Sequence, residues 1–294
     1  MLENKMIIPV FYIGLLLFLF PQNISAKNIV KKKDIEKDNV MCIAMPKSGT
    51  DLLLKCITLI GAKNISYNYL EQPKTSRIIN LQKPLKQSRV RAYTKNGTKA
   101  FAFHFLYTPD AQDVLKKYTY ANFFMIRDPR AHLVSQAFDF EKKEIGGKKS
   151  LEEIMIDMIK PSKQYTQKRM IIPIEDLFLD IGMHEFYKLF LPWMNAEKFY
   201  TVRFENLVGP QGGGNIESQY KEIKNIAQHL GVNRTEQEIK DIAKNLFGNA
   251  YTFREGKIDS WKQYFTPKVK EAFKANMGLM QMLIDLGYEK DISW

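Results

Sequence analysis

Short apolar runs alternate with amphipathic segments from residue 40 to the end of the chain. Four of these runs predict strands, because they are short and bounded by polar residues: they lie at 39–45, 98–105, 121–126 and 197–204. Apolar residues recur at helical spacing in several of the segments around them. This alternation indicates an α/β fold with a mostly parallel central sheet flanked by helices, in one domain.

Capping residues predict where several helices begin and end. Thr108 with Pro109 marks one start, Ser150 with Glu153 forms a capping box, and Gly146–Gly147 predicts an end. Helices are predicted at 50–60, 108–118, 129–144, from 150 onward, and at 215–232, 235–247 and 266–288. The polar, weakly patterned residues 62–97 predict a long loop region.

The N-terminus contains an uncharged apolar stretch at residues 6–20. This stretch is shorter than the ~20 residues of a membrane-spanning helix and suits a signal peptide, with Ala26 as a cleavage position. A signal anchor is the alternative, since lysines after the stretch would keep an uncleaved chain in the cytosol. We expect residues 1–26 to be a signal peptide or anchor and residues 27–39 a basic linker.

Two locations follow from this segment. The protein is expected to be membrane-anchored through residues 6–20, or to enter the secretory pathway and an extracytoplasmic compartment. The charge pattern and the length of the apolar stretch favour opposite sides of the membrane, so the side stays open.

Composition adds an expectation about partners. The 294 residues carry a formal net charge of +12, which favours anionic partners such as nucleotides or polyanions. An AT-rich genome that encodes lysine freely is the alternative source of this charge. Cys42 and Cys56 have neither metal-binding spacing nor a disulfide framework, so both are expected to be buried small hydrophobes.

The sequence PKSGT at 46–50 connects the first predicted strand to the first helix. A small-residue loop at that place directs backbone N–H groups at one point, where the helix dipole favours an anion. Lys47 adds positive charge, and Ser48 and Thr50 add hydroxyl donors. The loop does not match G-x-x-x-x-G-K-[ST], which serves nucleoside triphosphates. The residues alone therefore favour an anion site, and an ordinary helix-capping turn is the alternative.

Two further segments contain arginines that could bind phosphate. Arg127 ends a predicted strand, and Ser135 follows about two turns into the next helix. Arg254 lies in the segment 253–267. Taken alone, Arg127 could instead pair with Asp128 at the surface, and the second segment could be a surface loop whose tryptophan packs in the core.

Together, these three segments resemble the donor-binding motifs of the sulfotransferases. PKSGT is similar to that family's 5′-phosphosulfate loop, and Arg127 with Ser135 is similar to its 3′-phosphate motif. The segment 253–267 resembles its C-terminal nucleotide-binding loop. The resemblance implies a P-loop NTPase-like three-layer domain over 40–294 that transfers a sulfonate from 3′-phosphoadenosine 5′-phosphosulfate (PAPS) to a hydroxyl or amine, without a metal.

The resemblance also implies which residues hold the donor. They are Lys47, Ser48, Gly49, Thr50, Asp51, Arg127, Ser135, Phe204, Arg254, Glu255 and Gly256. Leu52 stands where the family has a tryptophan near adenine, and Glu255 brings negative charge to the C-terminal loop. The adenine contact of that tryptophan is missing, and Glu255 would weaken donor binding unless Lys257 offsets its charge, so the effect of both departures stays open.

One of the four histidines is expected to act in catalysis. On the residues alone, His104 would be interpreted as a satisfied core histidine at a strand end, because geometry must precede the assignment of a base. The family's catalytic histidine lies at a similar distance before the 3′-phosphate arginine. The resemblance therefore implies that His104 is the general base and that Lys47 stabilises the leaving phosphate. Surface or packing positions are expected for His132, His184 and His229.

Two alternative functions stay open from the sequence. One is a P-loop kinase, which the loop spacing disfavours, and the other is a membrane-tethered, non-catalytic module that binds polyanions. For a sulfotransferase, the expected partner is a small-molecule, lipid or carbohydrate acceptor, with no nucleic acid. Residues 62–97 and 141–195 are expected to form the acceptor pocket.

Overall fold

A computed structural model of the chain describes residues 40–62, 78–80, 100–104, 106–119, 121–145, 147–160, 171–248 and 254–294. The predicted signal segment, the linker and most of the 62–97 loop lie outside the described residues. Within the described ranges, no helix combines the length and apolarity needed to cross a bilayer.

In the part of the chain that the structure describes, six strands form two separate sheets. They are β1 (Val40–Ala44), β2 (Ile78–Asn80), β3 (Ala100–Phe103), β4 (Ala121–Ile126), β5 (Ile171–Pro173) and β6 (Phe199–Arg203). The main sheet is entirely parallel in the order β3-β1-β4-β6, while β2 and β5 pair antiparallel. The predicted parallel α/β sheet is confirmed. The strand β1 lies between β3 and β4, so the chain passes from β1 to β3 on one side and then crosses to β4 on the other side. A crevice forms at the carboxyl ends of the strands where the strand order changes direction in this way.

Ten α-helices surround the strands in the described residues. They are α1 (Thr50–Ile60), α2 (Pro109–Tyr118), α3 (Pro129–Lys142), α4 (Leu151–Ile159), α5 (Ile174–Lys188), α6 (Phe204–Leu207), α7 (Ile216–His229), α8 (Glu236–Leu246), α9 (Pro267–Ala275) and α10 (Met277–Asp285). Short 3-10 turns occupy Leu191–Asn195, Pro210–Gly212 and Asp259–Gln263. Thr108 caps α2, and the Ser150–Glu153 capping box begins α4, as predicted.

The structure corrects several predicted boundaries. The closing segment is two helices rather than one, because Asn276 leaves helical geometry and its side chain accepts a hydrogen bond from the Leu279 N–H at 3.2 Å. Strand β6 ends at Arg203, and Phe204 begins the short helix α6. Helix α3 ends at Lys142, two residues before the predicted end.

Each face of the main sheet covers a separate apolar core. Alternate residues of a strand point to opposite faces, so Ile43 and Phe124 pack with α3, α4 and α5, while Cys42 and Phe123 pack with α1, α7 and α8. Cys42 is fully buried, as is Cys56 of α1, and burial raises the pKa of both thiols. The interpretation of the cysteines as buried hydrophobes is confirmed.

Arg130 connects the start of α3 to the C-terminal segment. Its guanidinium carbon lies 4.2 Å from the ring centroid of Trp261 and 4.6 Å from that of Trp294. It also pairs with Asp128 at 2.8 Å and with Glu289. All four partners surround a side chain that is 5% exposed, so the guanidinium fixes the end of β4 against the residues that follow α10.

We predict that Arg130→Met destabilises the protein by about 3–5 kcal/mol, because it leaves the buried carboxylate of Asp128 without its partner. The matched control is Lys149→Met, which breaks an exposed pair with Asp157 and should cost less than about 1 kcal/mol. Urea unfolding of both variants measures the difference. Equal losses would show that the Arg130 cluster contributes no more than a surface ion pair.

Candidate active site

One cleft at the carboxyl end of the sheet collects most of the residues predicted to be functional. Its volume is about 1000 Å³, including space open to solvent. The predicted residues that line it are Lys47, Gly49, Thr50, Asp51, His104, Arg127, Phe204, Arg254, Glu255 and Gly256. Two predicted residues do not line it: Ser48 is fully buried, with its hydroxyl donating to the Met45 carbonyl at 2.7 Å, and Ser135 is buried on α3.

The loop between β1 and α1 reaches the cleft through an unusual backbone path. Lys47 has a φ of 65° and Gly49 a φ of 109°, both in the left-handed region. A Cβ on Gly49 would approach Phe204 Cδ2 to 2.7 Å and Met125 Cε to 2.9 Å. Only glycine fits this position. Helix α1 begins at the next residue, Thr50, and its N-terminal end lies at the cleft, where the helix dipole favours an anion.

Arg127 supplies a buried positive charge to the cleft. Its side chain donates to the carbonyls of Lys47 at 3.4 Å and Lys257 at 3.1 Å, and its guanidinium lies 4.3 Å from the Phe204 ring centroid. Burial lowers the pKa of Arg127, yet an arginine keeps its proton. The Nε atom is buried without a partner, and no carboxylate of the described chain forms an ion pair with the guanidinium. This arrangement suits a bound anion.

Lys47 is held in the cleft by a residue that the sequence did not single out. Its Nζ lies 3.5 Å from Asp139 Oδ1, and the other oxygen of Asp139 pairs with Lys143. Both Lys47 and Asp139 are mostly buried, with 18% and 16% of the side chain exposed. Asp139 follows Ser135 by one turn of α3, and that spacing is the signal that would have identified it.

His104 faces the cleft with a fixed orientation. Its Nδ1 lies 2.6 Å from the carbonyl of Ala44, the last residue of β1. A carbonyl only accepts, so Nδ1 carries the proton and, in the neutral ring, Nε2 has the lone pair that a general base needs. The described site therefore contains a histidine in the tautomer suited to taking a proton.

The other histidines do not line the cleft. His132 is fully buried, and its Nδ1 lies 2.6 Å from the Tyr187 hydroxyl. Burial lowers the pKa of His132 to about 3, so its ring is neutral. His229 contacts the Asn122 carbonyl at 3.0 Å, and His184 lies on α5 beside Glu185. Their placement agrees with packing and surface roles.

The C-terminal loop brings Arg254 to the cleft together with its own counter-charge. Arg254 pairs with Glu255, and the Tyr264 hydroxyl donates to the same carboxylate at 3.0 Å. The guanidinium of Arg254 also lies 4.2 Å from the Phe138 ring centroid. Glu255 therefore neutralises Arg254 directly, so Arg254 presents less charge to an anion than Arg127 does.

Part of the lining of the cleft is apolar. Leu52, Val208, Leu246 and Phe247 line it, beside Lys55. Of these residues, Leu52 is identifiable from the sequence, as a departure from a family motif, whereas Val208, Leu246, Phe247 and Lys55 carry no sequence signal. Lys55 and Leu52 follow the start of α1 at helical spacing, which places them on one side of the helix. The cleft thus has a cationic part and an apolar part.

We predict that Gly49→Ala destabilises the protein by more than Gly213→Ala does. Gly213 also has a positive φ, 84°, but an added Cβ meets nothing within 4 Å. The control should therefore lose about 1–2 kcal/mol for backbone strain alone, and Gly49→Ala about 1–3 kcal/mol more for overpacking. Urea unfolding measures both, and equal losses would show that the neighbouring side chains adjust without cost.

Solved structures provide the relevant comparison, since the chain matches no family model and no curated protein significantly. Mouse sulfotransferase SULT7A1 complexed with PAP superposes with a TM-score of 0.59 at 17% identity, over 87% of this chain and 90% of that one. Retinol dehydratase in complex with androsterone and PAP gives a TM-score of 0.54 at 15% identity, over 84% and 81%. The described chain therefore has the sulfotransferase fold.

Proposed function

We propose that this protein is a sulfotransferase that uses PAPS as its donor and a hydroxyl or amine as its acceptor. The observation that supports this most directly is the cleft in which Lys47, Arg127 and His104 meet at the carboxyl ends of parallel strands. The structural neighbours support the same reaction, because both were crystallised as complexes with PAP.

The two parts of the cleft match the two chemical parts of such a donor. The phosphates need cations and backbone N–H groups, which Arg127, Lys47 and the start of α1 provide. The base needs an apolar slot with an aromatic ring, which Leu52 and Phe247 provide. The buried Nε of Arg127, which has no partner among the described residues, is the observation that favours an anion there.

The proposed transfer assigns one proton and one leaving group. His104 Nε2 takes the proton of the acceptor hydroxyl as that oxygen forms a bond to the sulfur. The bond between sulfur and the bridging oxygen breaks, and the departing phosphate keeps the electron pair. Lys47 donates a hydrogen bond to that oxygen and stabilises its charge. Asp139 keeps the Lys47 ammonium in the cleft before the donor arrives.

The proposal also covers the class of acceptor and the location of the protein. Retinol dehydratase is in complex with androsterone in one structure and with retinol in another, which gives a TM-score of 0.50 at 14% identity over 81% of each chain. A small molecule is therefore our first acceptor class, with lipids and carbohydrates next.

The apolar stretch at 6–20 supports a secretory or membrane-attached protein. Sequencing the mature N-terminus tests that location independently of activity.

We predict that Arg127→Met weakens binding of 3′-phosphoadenosine 5′-phosphate by about 10- to 100-fold, because it removes charge-assisted hydrogen bonds worth roughly 1.5–3 kcal/mol. Lys240→Met makes the same charge change on an exposed position of α8 and should leave the affinity unchanged. Calorimetric titration measures both. Tighter binding of ATP with magnesium than of the bisphosphate would instead favour a kinase.

We predict that His104→Asn lowers sulfonate transfer by at least about 100-fold while the bisphosphate still binds. Asparagine keeps a donor for the Ala44 carbonyl but offers no base. His184→Asn, at a half-buried position of α5 outside the cleft, is the matched control and should retain full activity. Transfer from labelled donor to a panel of phenol, sterol and sugar acceptors gives the rates, and an active His104→Asn enzyme would remove His104 from the reaction.

A further inference from the structure

A lysine in the apolar part of the cleft has no role in the reaction proposed above, and the inference drawn from it rests on that proposed function. Lys55 lies on α1 and lines the cleft. Its Nζ donates to the carbonyls of Phe247 at 3.4 Å and Gly248 at 3.0 Å. Both carbonyls follow the last residue of α8, where the helix dipole is negative and favours a cation.

Apolar side chains line the cleft next to Lys55, and Asp51 lies one turn before it on α1. Leu52, Val208 and Leu246 line the same part of the cleft and pack with the core beneath α1 and α8. No carboxylate pairs with the Lys55 ammonium among the residues that the structure describes. Among the described side chains of this apolar part, Lys55 is the one that can donate a hydrogen bond to a ligand.

The Lys55 ammonium has one N–H group more than its two carbonyl partners use. An ammonium has three N–H groups, and the two carbonyls account for two of them. Lys55 is only half-buried, so water can satisfy the third N–H in the free protein. Once a ligand displaces that water, the third N–H keeps a hydrogen bond only if the ligand brings an acceptor. The ring nitrogens N1, N3 and N7 of adenine are such acceptors.

We propose that Lys55 determines base specificity by donating its third N–H to a ring nitrogen of the donor's adenine. The cleft then recognises the base through a cation anchored to the end of α8, in addition to the shape of the apolar slot. The same contact joins α1, which follows the loop between β1 and α1, to the base through one side chain.

Calorimetry with 3′-phosphoadenosine 5′-phosphate and its 1-deaza, 3-deaza and 7-deaza analogues tests this role. Each analogue replaces one ring nitrogen by C–H and leaves the phosphates intact. Wild-type protein should bind one analogue about tenfold more weakly than the parent, since one charge-assisted hydrogen bond is lost. Lys55→Met, which keeps the length of the stem, should bind the parent about tenfold more weakly and all four ligands alike. Lys55→Arg, which keeps donors, should retain the preference.

The outcomes separate this inference from the function on which it rests. If wild-type protein binds all four ligands equally, or if Lys55→Met weakens all four but keeps the preference, Lys55 does not contact the base and the inference is wrong. If wild-type protein fails to bind the parent bisphosphate, the proposed donor is wrong, and the inference falls with it. Lys240→Met should behave as wild type with every ligand.

Discussion

A buried guanidinium at the end of β4 is the constraint on which the cleft depends. Arg127 donates to carbonyls of two loops that are distant in sequence, and Phe204 covers its face. A charge at this depth is expensive unless polar groups and a counter-ion compensate it. The same side chain, Arg127, therefore both holds the loops of the cleft together and makes the cleft suited to an anion. Gly49 matters to this arrangement because Phe204, which covers Arg127, occupies the space where a Cβ of residue 49 would lie.

The fold was predictable because its signals are local. Apolar runs predicted the four parallel strands, since a strand covered on both faces is apolar almost throughout, and caps such as Thr108 and Ser150 marked helix starts. The prediction of a single closing helix was wrong at Asn276, because the helical spacing of apolar residues continues past the residue whose side chain caps the second helix. Periodicity does not distinguish one bent path from two helices, because both place the same apolar residues on the core side.

The cleft was predictable only in part. Lys47, His104 and Arg127 meet because each follows the carboxyl end of a strand, and parallel strands end at one edge of the sheet. The pairing of Lys47 with Asp139, 92 residues away, and of Lys55 with a carbonyl 193 residues away depends on how helices pack across the edge. Nothing in a motif specifies those distances. Ser48 shows the converse, since it lies within the motif but its hydroxyl is occupied by the Met45 carbonyl.

The hydrogen bond from Arg127 to Lys257, whose partners are 130 residues apart, also couples ligand binding to folding. The cleft exists only when the sheet, the loop between β1 and α1 and the C-terminal segment have all assembled, so a ligand that fits it binds the native state alone. By mass action, a nucleotide at a hundred times its dissociation constant would add about 2.7 kcal/mol to the stability of the whole described domain. If the proposed donor binds in the cleft, its cellular supply would influence how long each copy of the protein survives.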